Sequence, residues 1–160
     1  GRGCKGHCAE LNTAGEEAMV VVKGKEIHQR AANASGSVKV AKEVIADLRD
    51  GTVPKWDALS VARIADIQGA KRTPDLIPLC HPIALHSVSV ELDVADDGVH
   101  IKATVKNADR TGVEMEALTA VSVAALALID MVKSIDPAAT IVEVRVDEKI
   151  GGKSGHWLRP

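Results

Sequence analysis

The 160-residue sequence contains no phenylalanine and no tyrosine, and only two tryptophans, Trp56 and Trp157. Proteins that bind single-stranded nucleic acid stack the bases on aromatic side chains, and two tryptophans do not make such a surface. The formal net charge is −2, and the chain has no basic tail that would neutralise a phosphate backbone. The composition therefore argues against a nucleic-acid partner.

Long hydrophobic runs and a disulfide framework are also missing. The longest apolar stretch, Ala120 to Ile129, falls well short of the roughly 20 residues that a membrane span needs. The three cysteines, Cys4, Cys8 and Cys80, are an odd set that does not indicate paired disulfides. We therefore predict a cytoplasmic protein without a membrane partner.

What the chain has instead is small apolar side chains, with 23 alanines and 20 valines. Such side chains bury little area each, and buried apolar surface contributes roughly 25 cal/mol per Å². A chain of this kind gains stability when it buries further surface against copies of itself. We therefore predict one domain that assembles as an oligomer.

The spacing of apolar residues predicts strands and helices in mixed order. Gly51 ends a first helix, and Asp57 is a good N-cap for a second. Asp97-Gly98 predicts a hairpin turn, and Thr111 to Glu114 matches a capping box that opens the longest helix. The second helix carries Leu59, Val61, Ala62, Ile64 and Ala65. We predict an α+β fold with helices on one face of a mainly antiparallel sheet, its strands at 19–22, 30–40, 88–94, 99–105 and 141–146.

A first polar cluster runs from Lys71-Arg72-Thr73 to Leu79-Cys80-His81 in a loop that contains three prolines. Cations beside a histidine in a loop of restricted conformation can bind an anion and move a proton. A solvated basic turn with a buried cysteine is the alternative.

The longest helix carries a second cluster, Glu114, Glu116, Asp130 and Lys133. Fourteen residues separate Glu116 from Asp130, which is about 21 Å along a helix axis, so they cannot form a carboxylate pair within one subunit. Asp130 and Lys133 can touch at i and i+3. This pair is either a surface ion pair or a proton-transfer pair, and the spacing leaves both open.

The third cluster is the glycine-rich segment Lys149 to Gly155. Its glycines let backbone N–H groups converge on phosphate oxygens. It is not a P-loop, because Asp147 stands where the first glycine is needed and no helix follows; a flexible C-terminal tail is the alternative. This net-acidic chain has five cations in its predicted loops, Lys55, Lys71, Arg72, Lys149 and Lys153. They favour a localised polyanionic small molecule as the ligand.

Six strings carry a resemblance to a known family: Val61–Ala65, Ala70–Thr73, Asp75–Pro82, Thr111–Leu126, Asp130–Lys133 and Lys149–Gly155. Together they resemble the cyclic pyranopterin monophosphate synthases, the molybdenum cofactor biosynthesis protein C family. The resemblance extends from about Leu11 to Trp157, and the string Thr111–Leu126 alone is highly specific.

The resemblance implies a ferredoxin-like α+β fold, assembled as a homohexamer (a trimer of dimers) with its sites at subunit interfaces. It implies a lyase that converts 3′,8-cyclo-7,8-dihydroguanosine 5′-triphosphate to cyclic pyranopterin monophosphate and diphosphate. A functional link follows to the radical cyclase that makes this substrate. No cofactor is required, with magnesium left open. Residues 1–10 are glycine-rich and terminal and are expected to be a disordered tail, with residues 11–160 as a single catalytic domain.

By the same resemblance, Asp130 and Lys133 match the catalytic aspartate and lysine. Leu79, Cys80, His81, Met115 and Glu116 match substrate-binding positions, and Lys55, Lys71, Glu114 and Lys149 match further polar residues of the pocket. No metal ligands are expected.

The chain departs from the family pattern at several positions. Val21 and Lys23 replace an aspartate and a serine, Asp66 replaces a common glycine, and Ile129 replaces a tyrosine beside the catalytic aspartate. Two other functions are therefore kept. One is a non-catalytic oligomeric module that binds a nucleotide or pterin. The other is a metal-dependent hydrolase using Cys4, His7, Cys8, His81 and glutamates, although Cys-x2-His-Cys is not a standard zinc spacing.

Overall fold

The computed structural model describes residues 21–22, 25–26, 28–52, 57–109, 112–153 and 155–160. Its strands are β1 (Val21–Val22), β2 (Lys25–Glu26), β3 (His28–Lys39), β4 (Ser87–Ala95), β5 (Gly98–Asp109), β6 (Thr140–Ile150) and β7 (His156–Leu158). Its helices are α1 (Lys42–Asp50), α2 (Ala58–Lys71), α3 (Thr73–Leu76) and α4 (Glu114–Val132).

One antiparallel sheet contains five of these strands in the order β4-β5-β3-β6-β7, while β1 and β2 pair separately. From β3 to β6 the chain runs strand, helices, two strands, helix, strand, which is the β-α-β-β-α-β arrangement of ferredoxin-like folds. The predicted α+β class is therefore confirmed.

The two faces of the sheet differ in polarity because side chains alternate along each strand. Ala32, Ala34 and Val38 of β3 are buried on the helix-covered face. A Cβ at Gly36 would lie 2.9 Å from Val121 Cγ1 of α4, so the glycine lets this helix lie directly on the central strand. The opposite face, called the open face below, carries polar residues, among them Asn33, Ser35, Ser37, His100, Lys102 and Thr104.

Local signals predicted the ends of several elements correctly. Gly51 follows α1 in the left-handed conformation, with φ 71°. The Asp57 side chain accepts hydrogen bonds from the backbone N–H groups of Leu59 and Ser60, as a helix N-cap does. Gly98 begins β5 at the predicted hairpin and pairs with Ala95.

The residues that α2 buries most deeply are not its largest apolar residues. Ile64 is 59% exposed, whereas the buried positions of α2 are Ala58, Ala62, Asp66, Gly69 and Ala70. A Cβ at Gly69 would lie 2.9 Å from Val123 Cβ on α4. The two helices approach so closely that Gly69 of α2 faces α4 while Ile64 turns outward; Leu59 and Val61 are partly buried and pack against the core.

Two further expectations need correction. The helix α4 begins at Glu114 with Val113 as its N-cap and no side-chain cap, so Glu114 is not the third helical residue of a capping box; Thr111 lies outside the described residues. The C-terminal segment is not simply a tail, because β6 continues to Ile150 and β7 pairs with it.

Within the described ranges, α4 is long and apolar enough to cross a membrane by length and composition. More than half of it, 56%, is buried inside the fold. Core helices of soluble proteins meet the same criterion, so the buried position of α4 accounts for its composition.

Asp66 is a buried carboxyl group on α2 with 0% exposure, and neither of its oxygens has a hydrogen-bond partner in the part of the chain that the structure describes. Burial raises its pKa to about 7, against a smaller opposing effect of the Arg63 charge. Ionisation of Asp66 therefore opposes the close packing of α2.

We predict that Asp66→Ala stabilises the protein most at alkaline pH. The pKa of Asp66 in the folded state is about 7, above the unfolded value of about 3.9. Below pH 4 Asp66 is protonated in both states and the protein keeps its full stability. As pH rises to 7 the unfolded state ionises first, and the free energy of unfolding falls. The loss is about 1.4 kcal/mol for each pH unit in this window and levels off above it. The advantage of the variant in Tm is expected to grow between pH 5 and pH 8. The exposed Glu91→Gln serves as the control, and an advantage of Asp66→Ala that is equal at both pH values would contradict the assignment.

Candidate active site

A cavity of about 250 Å³ lies where the loop after α3 crosses the first turn of α4. Six residues assigned to substrate binding by the resemblance line it, joined by Ile83 and Gly112: Leu79, Cys80, His81, Glu114, Met115 and Glu116. Two segments that are 29 positions apart in sequence (112 minus 83) thus meet at one site.

Short-range hydrogen bonds hold this loop at the end of α2. The buried Thr73 hydroxyl donates to the carbonyls of Gly69 and Ala70, at 3.1 and 3.0 Å. The Cys80 N–H donates to the Ile77 carbonyl at 3.1 Å. The loop ends where the His86 N–H donates to the Lys106 carbonyl of β5, so both ends are anchored to the core.

Glu114 forms an ion pair with Lys149, whose Nζ lies 2.8 Å from Glu114 Oε2. The Glu114 carboxylate folds back over Gly112, where any Cβ would collide with it. Burial raises the pKa of Glu114, but the hydrogen bond and charge of Lys149 outweigh burial and hold the pKa below its usual value. Glu114 is therefore an ionised group that fixes a lysine at the cavity.

Glu116 has the opposite electrostatic character. It is 3% exposed, and burial, assisted by the negative charge of Glu114, raises its pKa. Burial and the nearby Glu116 charge also raise the pKa of the Cys80 thiol. A carboxyl group with a raised pKa keeps its proton to higher pH and is suited to general acid or base work.

Arg30 of β3 is a cation that the sequence analysis did not identify. The turn between β6 and β7 passes over it, since a Cβ at Gly152 would collide with the Arg30 guanidinium. The Arg30 charge also lowers the pKa of Glu114. The glycine pair Gly151-Gly152 in the sequence indicates a close approach to another segment of the chain. It does not indicate that the approached residue is Arg30.

Asp130 and Lys133 form an ion pair at the far end of α4. Lys133 Nζ lies 2.7 Å from Asp130 Oδ1, and each side chain is 59% exposed. The rise of a helix separates Asp130 from Glu116 by about 21 Å, so a single chain does not bring the two clusters together. Lys71 is exposed in the last turn of α2 and does not line the cavity, and Lys55 lies outside the described residues.

A larger hollow of about 720 Å³ lies on the open face of the sheet, but its lining includes none of the predicted site residues whose positions are described. There His100 Nδ1 lies 2.7 Å from Ser37 Oγ, and His100 Nε2 lies 3.3 Å from Asp97 Oδ1. The order resembles a hydrolase triad. However, Asp97 is 58% exposed and also pairs with Lys39, so we regard this group as a surface ion-pair network.

Comparison with known proteins identifies the family to which the chain belongs. A profile of the MoaC family matches residues 19–152, a range that includes every residue that lines the cavity. The chain belongs to the MoaC family. This confirms the resemblance found in the sequence.

Curated MoaC relatives share most of their length with this chain. A protein of Streptomyces avermitilis named cyclic pyranopterin monophosphate synthase is 62% identical over 149 residues, 93% of this chain and 88% of the relative. One of the same name from a Nocardioides species is 57% identical, with 94% of both chains covered. Cyclic pyranopterin monophosphate synthase 2 of Mycobacterium tuberculosis is 49% identical, covering 96% and 92%.

We predict that Lys149→Met raises the pKa of Glu114. Without the lysine, only the backbone hydrogen bond and the Arg30 charge still oppose the burial of Glu114, so its pKa is expected to rise from its lowered value. Carbon-13 NMR of labelled glutamate carboxyl groups measures the change as a function of pH. The exposed Lys153→Met is the matched control in the same loop, and an equal shift in both variants would show that the ion pair is not the cause.

Proposed function

We propose that this MoaC-family protein is a cytoplasmic cyclic pyranopterin monophosphate synthase. It converts 3′,8-cyclo-7,8-dihydroguanosine 5′-triphosphate, made by a radical cyclase, to cyclic pyranopterin monophosphate and diphosphate. The observation that carries the proposal is that Cys80, His81, Glu114 and Glu116 line one cavity in a chain whose relatives bear that name.

Lysines hold the triphosphate in this proposal. Lys149 pairs with Glu114, which lines the cavity, and the family resemblance adds the positive charges of Lys55 and Lys71. Fixed cations stabilise the charge that develops on a departing diphosphate. A hydroxyl group of the substrate attacks the α-phosphorus, the new P–O bond closes the cyclic phosphate, and the bond to the β-phosphate breaks. The hydroxyl proton passes to a base of the protein.

Proton transfer is assigned to Asp130 and Lys133, which shuttle protons while the purine ring opens and the pterin ring closes. The charged pair has the short contact that such a transfer needs, 2.7 Å. Within one chain it lies too far from the cavity, so we propose that a second copy supplies it. A homohexamer built as a trimer of dimers places a site at each such interface. Exposed apolar side chains on the helical layer, Ile64 and Leu126, support packing against another copy.

A complementation experiment tests the shared site. Asp130→Asn and Glu116→Gln are each expected to lower diphosphate release from the cyclised nucleotide at least about a hundredfold. When the two inactive chains are unfolded, mixed and refolded, about a quarter of the interfaces combine a native Glu116 with a native Asp130. Activity is therefore expected to return to about that fraction.

The matched control mixes Asp130→Asn with Lys133→Ala, both altered at the same end of α4. No interface in that mixture recovers an intact Asp130–Lys133 pair, so activity is expected to stay low. Equal recovery in both mixtures would contradict a site shared between copies. Near-normal activity of Asp130→Asn alone would remove Asp130 from the mechanism.

A non-catalytic module that binds a nucleotide or pterin is the second candidate. The loss of the usual aspartate and serine at Val21 and Lys23 favours it. Such a module binds the cyclised nucleotide without releasing diphosphate, so one assay of the unmodified protein separates the two. We expect diphosphate release without an added cofactor. Repeating the assay with EDTA and then with magnesium tests whether the metal is needed.

A further inference from the structure

A network of polar side chains crosses four strands on the open face of the sheet, away from the cavity. Thr104 Oγ1 of β5 donates to Asn33 Oδ1 of β3 at 2.6 Å. Asn33 Nδ2 donates to Glu148 Oε1 of β6 at 2.7 Å. The other carboxylate oxygen, Glu148 Oε2, lies 2.6 Å from His156 Nε2 of β7. Both oxygens of Glu148 are thus held, one from each neighbouring strand.

Glu148 is the residue immediately before Lys149, and the two point to opposite faces of β6. Glu148 pairs in register with Asn33, which lies on the open face. Lys149 pairs with Ala32, which is buried on the helix-covered face, and its Nζ reaches Glu114 of α4. The contacts that fix Glu148 therefore also fix the backbone from which Lys149 enters the candidate active site.

The strand β7 is short and is joined to β6 by few contacts. It is three residues long, and each of them is exposed, so it buries little apolar surface. Its backbone pairs with β6, and just beyond it the Arg159 N–H donates to the Asp147 carbonyl at 2.8 Å. The contact between His156 and Glu148 adds a side-chain link between β7 and β6.

We propose that His156 is a positioning residue, which through Glu148 holds Lys149 at the cavity for the phosphates of the substrate. This role rests on the proposed function of Lys149. The groups facing His156 are consistent with it. The hydrogen bond with His156 has the largest effect in lowering the pKa of Glu148, and the hydrogen bond from Asn33 lowers it further. Arg159 is engaged elsewhere, with the Val146 carbonyl at 2.7 Å and the Trp157 ring.

The first test measures Lys149 placement without any substrate. In His156→Phe the carboxylate of Glu148 loses its partner on β7, and Lys149 is expected to leave Glu114 more often. The pKa of Glu114, followed by carbon-13 NMR, should then rise toward the value found in Lys149→Met. His156→Gln keeps an N–H donor near Glu148 and is expected to restore the lower pKa. An unchanged Glu114 pKa in folded His156→Phe would overturn the proposal.

The second test uses the diphosphate-release assay. Because Lys149 already binds phosphate in the ground state and keeps that contact in the transition state, His156→Phe is expected to raise KM about fivefold, with a fall in kcat of less than about twofold. Glu148→Gln is expected to raise KM as well, and the double variant no further than His156→Phe alone, since both act through one contact. His156→Gln should return KM to near the unmodified value.

Arg159→Gln is the matched control, because Arg159 also ties β7 to β6 but does not contact Glu148. An equal rise of KM in Arg159→Gln would assign the effect to the hairpin as a whole and overturn the specific role of His156. If the unmodified protein releases no diphosphate, the proposed function fails, while the NMR titration still decides whether His156 positions Lys149.

Discussion

The fold depends on the close approach of α4 to its neighbours, which small residues make possible. The missing Cβ of Gly36 lets α4 lie on β3, and that of Gly69 lets α2 lie on α4. Alanines and valines fill most of the space between them, and the largest side chains that are fully buried are Ile101 and Leu128. Because dense packing favours one arrangement of the layers, α4 is held in one position. The positions of the charged residues along this helix are fixed with it. A chain without phenylalanine or tyrosine thus forms its core by bringing the helices and the sheet close together, rather than by filling wider gaps with large side chains.

This constraint also separates the charged groups into two sets. A straight buried helix cannot bend its ends together, so Glu114 and Glu116 at its beginning stay about 21 Å or more from Asp130 at its end. The cavity has two carboxyl groups and a thiol, one carboxyl group being paired with Lys149, while the exposed end has the Asp130–Lys133 pair. A chemistry that needs both sets must take them from different chains. The same small-residue composition that packs α4 inside one chain also leaves apolar helical surface exposed, which favours such a pairing.

The sequence predicts those features of the fold that a few neighbouring residues determine. Gly51, the Asp57 cap and the hairpin at Gly98 depend on local backbone chemistry, and all three were correct. Hydrophobicity predicted the buried face of α2 only in part. Ala62 is buried and Leu59 and Val61 pack against the core, but proximity to α4 selects for size, so Ile64 lies outside and Gly69 inside. The pairing of Glu114 with Lys149 joins residues 35 positions apart (149 minus 114), and no local pattern encodes that distance. The strings of the MoaC family identified the cavity residues, whereas Arg30 and His156 required the register of β3, β6 and β7.

The two carboxyl groups at the beginning of α4 are tuned in opposite directions by one lysine and by burial. Lys149 keeps Glu114 ionised, and the resulting negative charge adds to the burial that raises the pKa of Glu116. Carboxyl groups whose pKa values are driven apart can take different roles in one reaction. Under the proposed function, phosphates that draw Lys149 away leave Glu114 without a partner that offsets its burial, and the pKa of Glu114 rises. The protonation of Glu114 would then be linked to phosphate binding, and it would in turn change the charge beside Glu116, which lies less than one helical turn away.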